Sequence, residues 1–418
     1  MDKPASITFF YPGKEVGGAE YLFLRLANYI ADNTTLKIFY IDYKDGFAAG
    51  HLSEKVNLIH YTKAQKIDID YDTLLISSAL FFYKLFDAIN FSDKAKILFC
   101  SLCPTDIIAT AFPLALRLGK CKKACVKKVL KSIFTRQYNS MKKLLKLIDK
   151  NNGLIFQDGI NFETNNYCFE LNLKEKKFLP IPVNPSEIIA NTELINENAL
   201  NIGWLGRLVD FKIYSLLKIM EDADEYSLKQ NITVNMHIIG SGDKQDIAKN
   251  YPIKSKKLNL IFLNILVEED LNKYLAENVD ILFAMGTSCI EGAKLKLPSV
   301  LVDAGLSYFP DDYKYKWLYE TLDYSLGEYV EDLQSQNNHS FKDLINQKKL
   351  EEGIRCYEYY MLNHTIENSA KLIIDYANRC TLDINMLKKA GLFNSSLYFL
   401  WEAKKFWHKY IAHSNYDM

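Results

Sequence analysis

Short apolar runs alternate with helical patterns along the whole chain, and this alternation limits the possible folds more than any other feature of the sequence. In the first half, the runs are too short for helices and have the composition of buried parallel strands. These runs are SITFFYP, LKIFYID, VNLIHY, DTLLISS, KAKILFCSL and GLIFQD. Between the first two, Ala19 to Ile30 carries a broad apolar face and predicts a helix.

The second half repeats this plan. Its predicted strands are NIGWLGRL, VNMHIIGSG, NLIFLNIL, DILFAMGTS and SVLVDAG, and its predicted helices lie near Tyr214–Leu228, Asp243–Asn250, Glu268–Glu277 and Ile290–Leu295. Strands that alternate with helices of this length predict an α/β fold in which each parallel sheet is covered on both faces.

A length of 418 residues is enough for two such domains. A polar segment without a strong period, 184–201, separates the two halves. We therefore predict an N-terminal domain at 1–185, a linker at 186–200, a second domain at 201–380 and a helical tail at 381–418.

The composition favours a protein of the cytoplasm. Hydrophobic residues make up 49 % of the chain, so each half can bury a core. The start does not resemble a secretory signal, and the apolar runs are too short to span a membrane. The eight cysteines, single or in loose pairs, suggest reduced thiols.

Two of the cysteine pairs have spacings that also occur in zinc sites. They are Cys100-x2-Cys103 and Cys121-x3-Cys125. Because Cys100 follows a buried strand, where cysteine acts as a small apolar residue, packing is the favoured interpretation and we predict no metal.

Charge is unevenly distributed although the formal net charge is +0. Residues 117–150 contain twelve lysines and arginines and a single acid, Asp149, which gives this stretch a charge of +11. A strongly basic stretch in a neutral chain indicates a local anionic partner.

The same stretch has the pattern of amphipathic helices. Apolar residues recur at three- and four-residue steps from Val126 to Ile148, with lysines between them. One interpretation is two packed helices with a solvated basic face; the other is docking on an anionic membrane. Nucleic acid ranks lower because no nucleic-acid motif accompanies the charge. The tail from Leu392 combines aromatic residues with lysines, which suits a membrane interface or packing on the first domain.

Arg207 and Lys212 follow a predicted strand of the second half in GWLGRLVDFK. Ligands of open α/β sheets bind at the carboxyl ends of strands. An arginine and a lysine there suit a diphosphate, since arginine grips two oxygens and lysine adds a point charge. The alternative is a pair of solvated surface cations.

Three further segments lie at turns between a predicted strand and a helix. Gly240 and Gly242 in HIIGSGD permit close approach of a ligand to the backbone. Glu291, predicted in the first turn of a short helix, can accept ribose hydroxyls, or interact only with the helix dipole. Gly17 and Gly18 open the first helix, where amides without partners can meet a phosphate.

In order and spacing, these four segments resemble the family 4 retaining glycosyltransferases of the GT-B fold, of the bacterial cell-surface polysaccharide type. The matching motifs are GGAE, GRLVDFK, GSGD and EGAKLKLP, and the resemblance spans about residues 5–380. It implies two Rossmann-like domains whose parallel sheets face a central cleft, with C-terminal helices that cross back to the first domain.

The resemblance also implies residue roles. Arg207 and Lys212 would hold the donor diphosphate as the catalytic pair, and Glu291 would hold the ribose. Gly17 and Gly18 would approach the phosphates and the transferred sugar from across the cleft. The glycines of the GSGD turn, Gly240 and Gly242, would complete the donor site.

The sequence departs from the family pattern at two points. The first glutamate of the family's E-x7-E motif is replaced by Phe283, and backbone and hydroxyl groups of Met285–Ser288, including Ser288, could take its place. The histidine that many members carry after a later first-domain strand is also absent; in FCSLCPTD, Ser101, Cys103 or Asp106 could stand near the sugar.

We therefore predict a metal-independent, retaining transfer from a nucleoside diphosphate sugar to a saccharide, lipid-linked in lipopolysaccharide or capsule synthesis. The expected partners are the nucleotide sugar, the acceptor and an anionic membrane at 117–150, with no cofactor and no nucleic acid. The protein would be cytoplasmic and peripheral to the inner face of the membrane. The alternatives are a non-catalytic nucleotide-binding partner and a sugar-nucleotide epimerase.

Overall fold

The computed structural model describes residues 5–14, 17–62, 65–69, 73–93, 95–112, 123–190, 199–266, 268–332, 337–391, 399 and 402. The chain divides into two compact units. Unit 1 comprises Met1–Ile181 and Ile366–Met418, and unit 2 comprises Pro182–Thr365.

The centre of unit 1 is a six-stranded parallel sheet with the order β3-β2-β1-β5-β7-β8. All six strands correspond to the predicted apolar runs. A separate two-stranded parallel sheet, β4 with β6, was not predicted. The strands of unit 1 are β1 (Ser6–Phe10), β2 (Lys37–Asp42), β3 (Val56–His60), β4 (Ile67–Ile69), β5 (Thr73–Ser78), β6 (Ile89–Phe91), β7 (Lys96–Ser101) and β8 (Leu154–Phe156).

Helices cover this sheet. They are α1 (Gly18–Asn33), α2 (Phe82–Ala88), α3 (Asp106–Ala111), α4 (Lys123–Ile133), α5 (Thr135–Lys150) and α6 (Gly159–Phe169). Helix α1 forms where the apolar spacing predicted it, and it buries Leu22, Leu26 and Ile30 because these residues share one helical face. Against the sheet, α5 buries Met141, Leu145 and Ile148 in the same way.

Unit 2 repeats the plan with the order β11-β10-β9-β12-β13-β14. The first five strands are parallel, as predicted, whereas the short edge strand β14 is antiparallel to β13 and was not predicted. The strands are β9 (Ala199–Leu205), β10 (Thr233–Ile239), β11 (Leu258–Leu263), β12 (Ile281–Ala284), β13 (Ser299–Leu301) and β14 (Lys316–Trp317). The helices are α7 (Asp210–Gln230), α8 (Gln245–Lys249), α9 (Glu268–Asn278), α10 (Thr287–Ala293), α11 (Phe341–Asn346) and α12 (Lys349–Asn363).

The chain then returns to unit 1 through α13 (Ile366–Arg379) and α14 (Ile384–Lys389). The Ser369 hydroxyl donates to the carbonyl of Pro180 at 3.0 Å, and the Tyr376 hydroxyl donates to the carbonyl of Phe178 at 3.0 Å. The sequence predicted a second domain that runs to residue 380, but α13 is part of unit 1 because its apolar face packs there.

Parts of two predicted segments lie outside the described residues: 191–198 of the linker, and 392–398, 400, 401 and 403–418 of the tail. Within the described part of the chain, no helix combines the length and apolar composition needed to cross a membrane.

In both units the chain order reverses beside the first strand of the sheet. The reversal lies between β1 and β5 in unit 1, and between β9 and β12 in unit 2. Ligands of doubly wound sheets bind at the carboxyl edge at this point. The candidate residues are therefore described from these two edges.

Candidate functional site

The loop after β9 interlocks with the loop after β10. The amide of Gly206 donates to Ile239 O at 3.1 Å, and the amide of Leu208 donates to Ser241 O at 2.9 Å. A Cβ on Gly240 would stand 2.2 Å from Gly206 O, and Gly240 has a φ of +137°. A Cβ on Gly242 would stand 2.1 Å from Leu208 O. The two loops can therefore meet only where both positions are glycine, which explains these residues by packing alone.

Arg207 and Lys212 lie beyond the carboxyl end of β9, as the sequence predicted. Arg207 is exposed and Lys212 is half-buried. Lys212 Nζ lies 3.6 Å from the point that a Cβ on Gly206 would occupy, so the loop glycine gives it room. Burial, and then the charge of Arg207, lower the pKa of Lys212 to about 8. Neither cation has an ion-pair partner among the described residues, an arrangement that favours an anionic ligand.

The loop after β12 stands next to this pair because β12 neighbours β9, with Ala284 opposite Leu205. Gly286 has a φ of 65°, and α10 begins at the next residue, Thr287, with no side chain capping its first turn. Ser288 is the second residue of α10 and is half-buried. The helix thus starts earlier than the predicted Ile290.

Glu291 therefore lies in the second turn of α10, and its predicted position in the first turn is wrong. Its carboxylate is 2.5 Å from Nζ of Lys294, a buried lysine one turn further on. To bind a ribose, the Glu291 carboxylate must accept hydrogen bonds from Lys294 and from the ligand at the same time. Its two oxygens permit this.

In unit 1, Gly17 is the N-cap of α1 in an extended conformation, with no side chain capping the helix. Its neighbour Gly13 is held from β2, since the Gly13 amide donates to Asp42 Oδ1 at 3.0 Å. A Cβ on Gly17 would lie 2.6 Å from Glu20 Oε2. The Cβ positions of Gly13 and Gly17 thus both lie near the carboxylate of Glu20.

Ser101 and Asp106 differ in their hydrogen-bond partners. Ser101 is completely buried, and its hydroxyl donates to Asn161 Oδ1 at 2.9 Å; its contact with an acceptor stays a prediction. Asp106 begins α3, and its Oδ2 accepts the amides of Leu102 and Cys103, each at 2.9 Å. Burial raises the pKa of Asp106 to about 6.

Tyr11, which directly follows β1 at the same edge, was not predicted from the sequence. Burial, followed by the charges of Glu20 and Asp106, raises the pKa of its hydroxyl. The available signal was its position: a polar group immediately after the first strand of a doubly wound sheet faces the ligand edge.

The basic stretch forms α4 and α5, and the predicted amphipathic pattern is confirmed for both helices. Residues 117–122 lie outside the described part. Glu170, at the end of α6, pairs with Lys131 at 2.9 Å and with Lys127 and Lys142 at 3.1 Å each. Hydrogen bonds from these lysines, that of Lys131 foremost, lower the pKa of Glu170 to about 2.

A second set of cations on α5 is exposed and has no ion pair with any described residue. Its members are seven, three and four residues apart and so share one helical face. They are Arg136, Lys143, Lys146 and Lys150, here called the α5 stripe.

Among the described side chains, no three His, Cys, Asp or Glu residues come together in a way that could hold a metal ion. Cys100 is buried and Cys103 is exposed, and both are free thiols. Cys121 lies outside the described residues.

No protein-family model matches the sequence, and no curated protein matches it. Solved structures do share the fold, each with a TM-score of 0.50. HepE from Anabaena, in complex with UDP and glucose, is 11 % identical, with 89 % of this chain and 98 % of that chain covered. WaaG, a glycosyltransferase involved in lipopolysaccharide biosynthesis, is 13 % identical, with 88 % and 99 % covered.

A third match is a trehalose-6-phosphate synthase studied for glycosyl transfer with retention. It is 11 % identical, with 89 % of this chain and 98 % of that chain covered. At these identities the similarity concerns the fold. The predicted α/β class with two Rossmann-like domains, the GT-B class, is confirmed.

Proposed function

We propose that this protein is a glycosyltransferase that uses a nucleoside diphosphate sugar. The observation that carries the proposal is the pair Arg207 and Lys212, two cations without a carboxylate partner in the described structure, at the carboxyl edge where the strand order of unit 2 reverses. A diphosphate would supply the negative charge that these two cations lack.

The reaction makes the same electrostatic demand. The bond between the anomeric carbon and the diphosphate oxygen breaks, and its electron pair stays on the diphosphate. The acceptor oxygen then bonds the anomeric carbon and loses its proton. Cations in place before the reaction stabilise the charge that develops on the leaving group. Arg207 and Lys212 can do this without a divalent ion, so the proposed transfer is metal-independent.

In unit 2, the loop after β12 and helix α10 would supply further donor contacts. Glu291 would accept the ribose hydroxyls, and Ser288 with the first amides of α10 would approach the sugar or the phosphates. Gly17 and Gly18 would meet the transferred sugar. In this proposal Gly240 and Gly242 serve the site by bringing the GSGD turn against the Gly206–Leu208 backbone.

The proposal extends to the outcome and place of the reaction. We propose transfer of a hexose with retention, supported by the family resemblance and by the fold shared with a synthase studied for retention. The acceptor would be a lipid-linked saccharide of a cell-surface glycan, reached at the inner face of the membrane. The α5 stripe supports this location, since exposed lysines and arginines are attracted to anionic lipids.

Calorimetric titration with UDP tests the donor site. We expect Arg207→Ala and Lys212→Ala each to weaken UDP binding about tenfold or more, because each removes a charge-assisted contact. Lys229→Ala is the matched control, since Lys229 lies in the last turn of the same helix, α7. Equal affinities for all four proteins would exclude Arg207 and Lys212 from the site, and a panel of other nucleoside diphosphates extends the test to the base.

A second candidate is a nucleotide-binding partner without catalytic activity. It is favoured by Phe283, which stands where the resembling family has a glutamate. Phe283 is completely buried and stacks on Phe341, with ring centroids 5.6 Å apart. Binding of nucleotide sugar without release of nucleoside diphosphate would support this candidate over the enzyme.

A further inference from the structure

Tyr11 presents a buried phenol without a hydrogen bond at the carboxyl edge of unit 1. The side chain is 8 % exposed, and its ring packs on Phe23 and Phe81 with centroid distances of 5.1 and 4.9 Å. Its hydroxyl bonds to no described residue. The hydroxyl atom itself is not sealed from solvent, so a ligand at this edge can exchange a hydrogen bond with it.

Asp106 faces the same place with one oxygen in use. Both of its hydrogen bonds, from the amides of Leu102 and Cys103, end on Oδ2. Oδ1 accepts nothing from the described residues, although the side chain is only 7 % exposed. Asp106 therefore holds the backbone of its own loop with Oδ2, and Oδ1 can accept a hydrogen bond from a ligand.

Glu20 approaches from the third position of α1. Its carboxylate lies over the glycine-rich loop, 2.6 Å from the Cβ position of Gly17 and 3.5 Å from that of Gly13. Both carboxylates are near enough to act electrostatically on the hydroxyl of Tyr11. The edge thus carries a phenol between two carboxylates, on three different elements.

The candidate residues of the two edges consequently differ in charge. In unit 2 the strand reversal carries Arg207 and Lys212, whereas in unit 1 it carries Glu20 and Asp106. Carboxylates accept hydroxyl donors and repel phosphates and other carboxylates. A sugar without charge supplies hydroxyls on each face of its ring.

We propose that the carboxyl edge of unit 1 binds an uncharged sugar ring, whose hydroxyls donate to Asp106 Oδ1 and to Glu20 and exchange a hydrogen bond with Tyr11. The inference rests on the proposed function, in which unit 1 receives the saccharide acceptor. Any phosphate of a lipid-linked acceptor would then lie away from this edge.

Saturation-transfer NMR provides the test. The probes are the methyl glycosides of glucose, galactose, mannose and N-acetylglucosamine, and the methyl glycosides of glucuronic and galacturonic acid. We expect at least one neutral glycoside to bind, and each uronate to bind about tenfold more weakly than its neutral counterpart or not at all. A uronate that binds as tightly as its neutral counterpart, or more tightly, overturns the proposal. A complete lack of binding signal from the neutral glycosides overturns it as well.

Two substitutions separate binding from folding. In Asp106→Asn the amide oxygen can still accept from Leu102 and Cys103, while the outward atom changes from acceptor to donor. Tyr11→Phe removes only the hydroxyl. Each substitution should weaken binding of the neutral glycoside about tenfold. This is the expected effect of losing one hydrogen bond to a charged group, or one buried hydrogen bond. Asp93→Asn is the control and should bind as the wild type does, because this exposed carboxylate precedes β7 at the opposite end of the strand and pairs with Lys388 at 2.7 Å.

UDP binding by the same variants keeps the two proposals distinct. A wild-type thermal unfolding transition shows that Asp106→Asn and Tyr11→Phe are folded, and unchanged UDP affinity shows that the donor site is intact. Unchanged glycoside binding in that case contradicts the neutral-sugar site alone. Failure of Lys212→Ala to affect UDP would instead count against the proposed donor site.

Discussion

At the scale of the residue, the surroundings of Lys212 change the acid–base chemistry of its side chain. Its ammonium is taken from water beside a second cation, and its pKa falls to about 8. A bound diphosphate reverses this effect, because an opposite charge favours the protonated form. Ligand binding and protonation of Lys212 should therefore be coupled.

The first prediction follows from this coupling. UDP binding should take up a proton near pH 8 and weaken as the pH rises from 7 to 9, since the free protein loses the Lys212 charge over this range. Calorimetry in buffers of different ionisation enthalpy measures the uptake. Lys212→Arg is the control, because arginine stays charged and should remove the pH dependence. A dependence that persists in Lys212→Arg would assign the proton to another group.

A second prediction concerns Gly240. Gly240→Ala places a Cβ 2.2 Å from Gly206 O at a φ of +137°, so the GSGD turn must move from the loop that carries Arg207. We expect a loss of about 1–3 kcal/mol in the free energy of unfolding and weaker UDP binding. Denaturant titration measures the first effect. Gly50→Ala, where a Cβ meets no atom within 4 Å, should be close to neutral. Equal stability of the two variants would show that the loops adapt without strain.

At the scale of the element, the two faces of α5 have different roles. Its apolar face buries Met141, Leu145 and Ile148, and its outer face carries the α5 stripe over about 21 Å of helix. The three lysines that surround Glu170 form a separate group and hold α4, α5 and the end of α6 together. Among the described basic residues of α5, the four of the stripe are those that no described carboxylate meets.

The third prediction is that the α5 stripe decides membrane attachment. Replacing Arg136, Lys143, Lys146 and Lys150 by glutamine should abolish cosedimentation with vesicles that contain phosphatidylglycerol. The wild type should bind these vesicles at low salt and dissociate from them at high salt, because salt screens the attraction between the basic side chains and the anionic lipids. Phosphatidylcholine vesicles are the neutral control.

The matched variant for this experiment replaces Lys127, Lys131 and Lys142 by glutamine. Because these lysines already face Glu170, it should retain much of the vesicle binding. If it binds as weakly as the stripe variant, net charge decides attachment; if neither variant differs from the wild type, the basic stretch is only a solvated face.

At the scale of the whole molecule, the two units share one plan but differ in the charge of their edges. Each has its strand reversal beside its first strand, which places both candidate sites at carboxyl edges. The cationic edge in unit 2 suits a nucleotide diphosphate, and the acidic edge in unit 1 suits a neutral sugar.

The fourth prediction uses this division. In hydrogen exchange, UDP should protect the ends of β9 and β12, at 206–212 and 286–291. A neutral methyl glycoside should protect 11–20 and 102–106 instead. Mass spectrometry of peptides locates both changes, and the amino ends of the same strands serve as the internal reference. Protection by UDP that is confined to unit 1 would contradict the assignment of the donor site.

Features that depend on neighbouring residues could be predicted from the sequence. Alternation of apolar runs and helical faces is local, so eleven of the parallel strands, helix α1 and the α/β class followed from it. Positions just after a strand are local as well, and Arg207 and Lys212 lie where the pattern indicated. The short strands β4, β6 and β14 were missed because each mixes polar with apolar residues, whereas the equally short β8 lies in a continuous apolar run.

What the tertiary structure alone decided depends on contacts between residues far apart in the chain. Ser101 is closed off by Asn161, the glycines at 240 and 242 are required by the backbone at 206 and 208, and α13 packs on unit 1 through Pro180 and Phe178. No local pattern encodes such pairs, because burial and hydrogen-bond partners are set when distant segments pack. For the same reason the sequence could place two cations at one strand end, but only the folded chain brought Tyr11, Glu20 and Asp106 to the same edge.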